Sequence, residues 1–201
     1  MENIIQCLSK RGFIDAVTSQ QLQFFSEKPL KAYIGFDPTA DSLHLGNLVG
    51  IVALGWLKRF GHHPVVLIGG ATAKIGDPSG KMEERPLLDS KKIEEHAVSI
   101  KIQLEKLLGN LSLVLNNESW ISSFSFIEFL RNVGKHFRLG PMLGKESVRS
   151  RLDSEEGMSF TEFSYQILQG YDFYHLYKNH QVTLQIGGSD QWGNITAGIE
   201  L

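Results

Sequence analysis

A single cysteine, no long apolar run and no surplus of either charge set the first limits on this 201-residue chain. Cys7 has no second cysteine to pair with, which excludes an internal disulfide and a cysteine-based zinc site. No window approaches a membrane span, and the N-terminus carries no apolar signal core, so a cytoplasmic compartment and no membrane partner are expected. Twenty Lys and Arg against 22 Asp and Glu leave a formal net charge of −2. That balance lacks the broad basic field that grips nucleic acid regardless of sequence, so any RNA partner must dock locally or outside this stretch.

Familiar catalytic signatures are missing as well. No Gly-x-Gly-x-x-Gly follows a strand candidate, and there is no nucleophile elbow or Ser-His-Asp order. Gly69 to Lys81 invites a Walker reading and fails it: Gly76 and Gly80 enclose only three residues, and Met82 stands where a Ser or Thr would hold magnesium. His62 and His63 have no carboxylate or cysteine at ligand spacing, so no metal site is expected.

What is present reads as one ordinary globular domain or slightly more, with 42% hydrophobic and 21% charged residues. Short helices are expected over 3–11 and 19–27. Four apolar runs, 31–36, 64–70, 111–116 and 182–187, are strand candidates, and their near-continuous apolar character suits strands buried on both faces. Ile93, Ala97, Ile100, Leu104 and Leu107 recur at helical spacing, with Asp89 or Ser90 to cap and Gly109 to end the helix. Strands alternating with helices predict an α/β fold, a Rossmann-like doubly wound parallel sheet. Residues 117–180 look wholly helical and too long for a simple crossover, which predicts an insertion between two halves of the sheet. Within it, Ser159-Phe160-Thr161-Glu162 has capping-box spacing and opens a long helix.

Three constellations carry chemistry. His44-Leu45-Gly46-Asn47 lies between a strand and a helix, where free N–H groups, a partial positive charge and an imidazole donor suit a triphosphate. Tyr165, Gln169 and Asp172 share one helix face, with about 10 Å of rise from first to last, close to the length of an amino acid with an extended side chain. A solvated face is the alternative there. Gly187-Gly188-Ser189-Asp190-Gln191 follows the fourth strand; Asp190 suits a ribose hydroxyl or a plain N-cap. Lys81 and Arg85 are either phosphate clamps or solvated loop charges.

These segments resemble class I aminoacyl-tRNA synthetases, specifically the tyrosyl-tRNA synthetases of bacterial type. The likeness rests on Tyr33 to Asn47 (YIGFDPTADSLHLGN), Gly69 to Gly80, Phe160 to Tyr165 (FTEFSY) and Leu184 to Gly198, in that order along essentially the whole chain. It implies activation of L-tyrosine with ATP and Mg²⁺ to tyrosyl-adenylate, and transfer to tRNA(Tyr). It further implies that Tyr33 and Asp172 hydrogen-bond the phenolic OH, that Asp77, Tyr165 and Gln169 take the α-ammonium group, and that Gln185 joins the tyrosine pocket. Thr39 and His44 would stabilise departing pyrophosphate, with Lys81 and Arg85 closing over it. Gly35, Asp37, Asn47, Gly188, Asp190 and Gln191 would line the adenylate, with Gly46 beneath adenine. A two-fold dimer through the insertion near Phe160 is implied too. Such chemistry needs positioning and charge stabilisation rather than a nucleophile.

Two residues depart from the pattern. Asn47 replaces a second signature histidine, although its amide still donates, and Ile34 supplies no polar contact to ribose. The family's lysine-rich second signature, its last strand and its tRNA-recognising domains fall beyond Leu201. The expectation is therefore an N-terminal catalytic portion, 1–201, that binds tyrosine but activates it poorly. The rival readings are a tryptophanyl-type enzyme, against which Tyr33 with Asp172 argues, and a non-catalytic amino-acid-binding module.

Overall fold

Residue alternation in the first strand divides the molecule into two cores. A computed structural model describes residues 2–22, 27–81, 87–109 and 113–201. In β1 (Lys31–Phe36), Ala32, Ile34 and Phe36 face one side of the sheet and Tyr33 the other, the period of two that a pleated strand imposes. The first side packs under α1 (Ile4–Lys10), α2 (Leu45–Arg59) and α3 (Ser90–Leu108). The second packs Tyr33, Val65 and Leu67 against Trp120, Leu176 and Val182.

β2 (His63–Ile68), β3 (Leu113–Asn116) and β4 (Val182–Gln185) complete a four-stranded sheet of order β3-β2-β1-β4, every pairing parallel. The chain runs outward from β1 to β3, then returns to lay β4 on the other side of β1. That reversal makes the doubly wound, Rossmann-like topology and leaves a crevice at the carboxyl ends of β1 and β4. Between β3 and β4 come α4 (Glu118–Ile121), α5 (Phe126–Asn132), α6 (Leu139–Leu143), α7 (Glu146–Leu152) and the long α8 (Phe160–His180); α9 (Trp192–Glu200) follows β4.

Several boundaries differ from expectation for local reasons. β2 stops at Ile68 because Gly70 turns its amide to Asn116 Oδ1 (3.2 Å) instead of continuing the ladder. β4 stops at Gln185, although the Ile186 amide still donates to Tyr33 O (3.0 Å). Residues 111 and 112 of the expected third strand, and 23–26 of the expected second helix, lie outside the described residues; Ser19–Leu22 forms a turn, Leu22 N to Ser19 O at 3.2 Å. Asp89 caps α3 through the Lys91 amide (2.9 Å), and Gly109, at φ 70°, ends it. Ser159 caps α8 through the Glu162 amide (3.2 Å), but the Glu162 carboxylate goes instead to buried Arg151, in two bonds of 2.8 and 2.9 Å. Among the described residues no helix is long and apolar enough to cross a membrane.

Candidate active site

Three strands deliver a polar residue at the carboxyl end, Asp37 after β1, Asn117 after β3 and Gln185 at the end of β4, while β2 is followed by the Gly69–Gly70 pair. Helix α8 crosses the same region with Tyr165 and Asp172 on its buried side. Asp172 is 2% exposed, so the solvated-face alternative does not hold. Its carboxylate accepts from Asn117 Nδ2 at Oδ2 (2.9 Å) and from Trp120 Nε1 at Oδ1 (2.8 Å). Burial is the main cause pushing its pKa up, from 3.8 to about 7; the two hydrogen bonds pull down and Asp37 adds to the rise.

Tyr33 is 1% exposed, and its phenol is held well above the ordinary range, first by burial and then by the Asp172 charge. Among the described residues its Oη has no hydrogen-bond partner, and neither has Oε1 of Gln185, its register neighbour on β4. Unpaired buried polar atoms cost about 1–3 kcal/mol each. Two side by side, next to a buried carboxylate, mark a place built for a polar ligand group. The sheet face beside them is open: Gly35 is exposed, and a Cβ there meets nothing within 4 Å.

A second cluster centres on Asp37. Tyr165 Oη donates to its Oδ2 (2.8 Å) and Thr72 Oγ1 to its Oδ1 (2.7 Å). Asn117, fully buried, gives Nδ2 to Thr72 Oγ1 (3.0 Å) as well as to Asp172, so one polar chain joins Asp37 to Asp172. Gly69 is fixed by this packing: a Cβ there would lie 1.8 Å from Asp37 Oδ1. Burial and then the charges of Asp37, Asp77 and Asp172 hold the Tyr165 phenol well above its usual pKa. The negative charges of three carboxylates thus reach one buried hydroxyl, an arrangement that favours a cationic ligand group. Gln169 lies half-buried on the same helix, between Tyr165 and Asp172.

The third cluster closes the crevice. Asp77 accepts from Gln191 Nε2 (2.7 Å), Asn194 Nδ2 (3.4 Å) and the Ser79 amide (3.0 Å). Asn194 also donates to Ser79 Oγ (3.2 Å), latching the 76–80 loop to the start of α9. Asp190 is exposed and accepts from Gln191 Nε2 (3.0 Å); a Cβ at Gly188 would sit 2.3 Å from Asp190 Oδ1, so glycine there lets the carboxylate lie over the backbone.

The remaining expected residues stay apart from this network. His44 caps α2: its Nδ1 accepts from the Gly46 amide (3.1 Å), and Asn47 Oδ1 accepts from the His44 amide (3.0 Å). That use of Nδ1 assigns the ring proton of the neutral form to Nε2, leaving an outward donor, and leaves Asn47 its Nδ2 donor. A Cβ at Gly46 would lie 2.9 Å from His44 Cε1, so glycine here admits the capping ring. Thr39 is half-buried, with its amide on Asp37 O (2.8 Å), and Lys81 is exposed beside Gly80, whose φ is +67°. Arg85 lies outside the described residues. Asn117, Thr72, Trp120, Ser79 and Asn194 went unnoticed in the sequence. For Asn117 a signal existed, a polar residue immediately after a strand.

Comparison with known proteins places the chain in a family of the same fold. The family model described as "tRNA synthetases class I (W and Y)" matches residues 26–201. A tyrosine–tRNA ligase of Protochlamydia amoebophila is 60% identical over 100% of this chain and 48% of its own length. The chloroplastic/mitochondrial tyrosine–tRNA ligase of Arabidopsis thaliana is 49% identical over 99% of this chain and 41% of its own. This chain therefore spans about half the length of the curated relatives it matches. A C-terminally truncated mitochondrial tyrosyl-tRNA synthetase of Aspergillus nidulans superposes with a TM-score of 0.89 at 33% identity, covering 99% of this chain and 60% of that one.

Proposed function

The chain belongs to the class I tRNA synthetases of the W and Y group, and from that premise we propose that it is the amino-acid-activating portion of a tyrosine–tRNA ligase. Residues 1–201 form the catalytic domain and 117–180 its insertion. The substrates are L-tyrosine and ATP as its magnesium salt; the products are tyrosyl-adenylate and pyrophosphate, with tRNA(Tyr) the final acceptor and the cytoplasm the compartment. One observation carries the choice of tyrosine: a buried carboxylate, Asp172, beside a buried tyrosine hydroxyl, Tyr33, that has no partner among the described residues. Those groups match a phenol, which donates and accepts; an indole N–H would satisfy only an acceptor.

Roles follow from position. The phenol of the substrate lies between Tyr33 and Asp172, near Gln185. Its ammonium group lies among Asp77, Tyr165 and Gln169, where carboxylates converge. Its carboxylate attacks the α-phosphorus of ATP, the bond to the bridging oxygen breaks, and pyrophosphate leaves with the electron pair. His44 Nε2–H and Thr39 donate to the phosphate oxygens as that charge develops, and Lys81 and Arg85 close over the leaving group. Gly35, Asp37, Gly46, Asn47, Gly188, Asp190 and Gln191 line the nucleotide.

Calorimetric titration of the chain with tyrosine, tryptophan and phenylalanine tests the reading, together with tyrosine-dependent ATP–pyrophosphate exchange. Tyrosine alone should bind tightly. A preference for tryptophan would support the tryptophanyl type, and tyrosine binding with no exchange at any ATP concentration would support the non-catalytic module. His44→Ala should slow exchange on the order of 100-fold, because one donor to developing charge is lost, and leave tyrosine affinity unchanged. An equal fall in tyrosine affinity would remove His44 from that role.

The proposed assembly is a two-fold homodimer through the insertion. Phe160, the first residue of α8, is 67% exposed, and a large aromatic left so open on a helix N-terminus suits burial against a second copy. Light scattering should give twice the chain mass, and Phe160→Asp should return it to the single-chain value. A monomeric parent at micromolar concentration would exclude the interface.

A further inference from the structure

We propose that His175 is a positioning residue for the carboxylate that reads the phenol: its imidazole is the flat support on which the Trp120 indole lies, aiming the indole N–H at Asp172. The inference rests on the tyrosine reading above. Trp120 sits in α4, a single turn with no side-chain cap, so its own element does little to fix the ring. The sheet residues Val65, Leu67 and Val182 bury one side of it, and α8 supplies the flat contact. The Trp120 and His175 rings lie 4.2 Å apart, centroid to centroid, at only 12° between planes. Neighbouring aromatic pairs are steeper: Phe124 meets Tyr171 at 80°, and Tyr171 meets His175 at 56°.

His175 follows Asp172 by three residues in the same helix, so both project to one side. One helix thereby presents the carboxylate and the surface on which the donor to that carboxylate rests. With Trp120 Nε1–H on Oδ1 and Asn117 Nδ2 on Oδ2, the plane of the carboxylate is set from both ends. Trp120 is buried, so an indole turned away would leave its N–H unpaired and Asp172 held by Asn117 alone. Burial and the nearby His180 both lower the His175 pKa, which keeps the support uncharged at neutral pH.

The test reads the donor directly and the ligand separately. In the ¹⁵N-labelled 201-residue chain, the Trp120 indole N–H resonance is identified by its loss in Trp120→Phe. His175→Ala should shift that resonance and speed its exchange with solvent, while His175→Phe, still flat, should preserve it. Calorimetry should show tyrosine affinity falling about tenfold in His175→Ala, the loss expected for one weakened bond to a charged group, with phenylalanine affinity unchanged and His175→Phe close to the parent. Should His175→Ala not fold, His175→Leu, apolar but not flat, gives the same reading. An unmoved indole resonance overturns the proposal, as does equal loss for tyrosine and phenylalanine, the mark of packing alone. A parent chain that binds no tyrosine refutes the function instead, and the indole resonance still decides the role of His175.

Discussion

Asp172→Ala should lower tyrosine affinity on the order of 10²–10³-fold and remove most of the preference for tyrosine over phenylalanine. Truncating one partner of a buried, charged hydrogen-bonded contact costs about 2–5 kcal/mol, part of it from the groups left behind. Here those groups are specific. Trp120 Nε1 loses its acceptor, and Asn117 Nδ2 loses one of two, keeping only Thr72 Oγ1. Phenylalanine never formed the contact, so its affinity changes little and the two ligands converge. Tyr33→Phe should give a smaller loss, because an uncharged hydroxyl is removed and no donor is orphaned. Both variants are measured by competitive equilibrium binding on the same preparation. If tyrosine keeps its full advantage in Asp172→Ala, the phenol is read elsewhere and the pocket is wrongly placed.

Local pattern made the architecture legible. Near-continuous apolar runs marked β1 and β2 as strands buried on both faces, Asp89 and Gly109 marked the ends of α3, and the i, i+4, i+7 spacing placed Tyr165, Gln169 and Asp172 along one helix. The polar chain that joins the clusters was not legible. Thr72, Asn117 and Asp172 are separated by 45 and 55 residues; the parallel register of β2 and β3 brings the first two together, and α8 crosses the sheet to supply the third. Competition also hid local detail. Glu162 has the spacing of a capping box, yet its carboxylate is drawn to Arg151, where both side chains are 2% exposed and an unpaired charge would be costly. Gly46 also makes room for the chain's own His44 ring, a second demand for glycine that the sequence does not show.

The same burial that makes Asp172 selective should make the fold pH-dependent. In the unfolded chain this carboxyl titrates near 3.8, and in the folded protein near 7. Between those values the folded state keeps a proton that the unfolded state has released, so folding is favoured at the acid end. The contribution is complete below pH 3.8, declines as pH rises toward 7, and is gone above it. A difference of about three pH units, at about 1.4 kcal/mol each, makes the loss about 4 kcal/mol. Asp172→Asn removes the titration without removing the side chain, at the expense of one of the two bonds from Asn117 and Trp120. Urea unfolding of parent and variant at pH 4 and pH 8 isolates the effect, since other groups titrate alike in both. The parent should lose about 4 kcal/mol more than the variant between the two pH values. The variant, weaker at pH 4, should gain on or overtake the parent at pH 8. Parallel pH dependences would mean that the Asp172 carboxylate is held charged in the folded protein, its bonds from Asn117 and Trp120 outweighing burial.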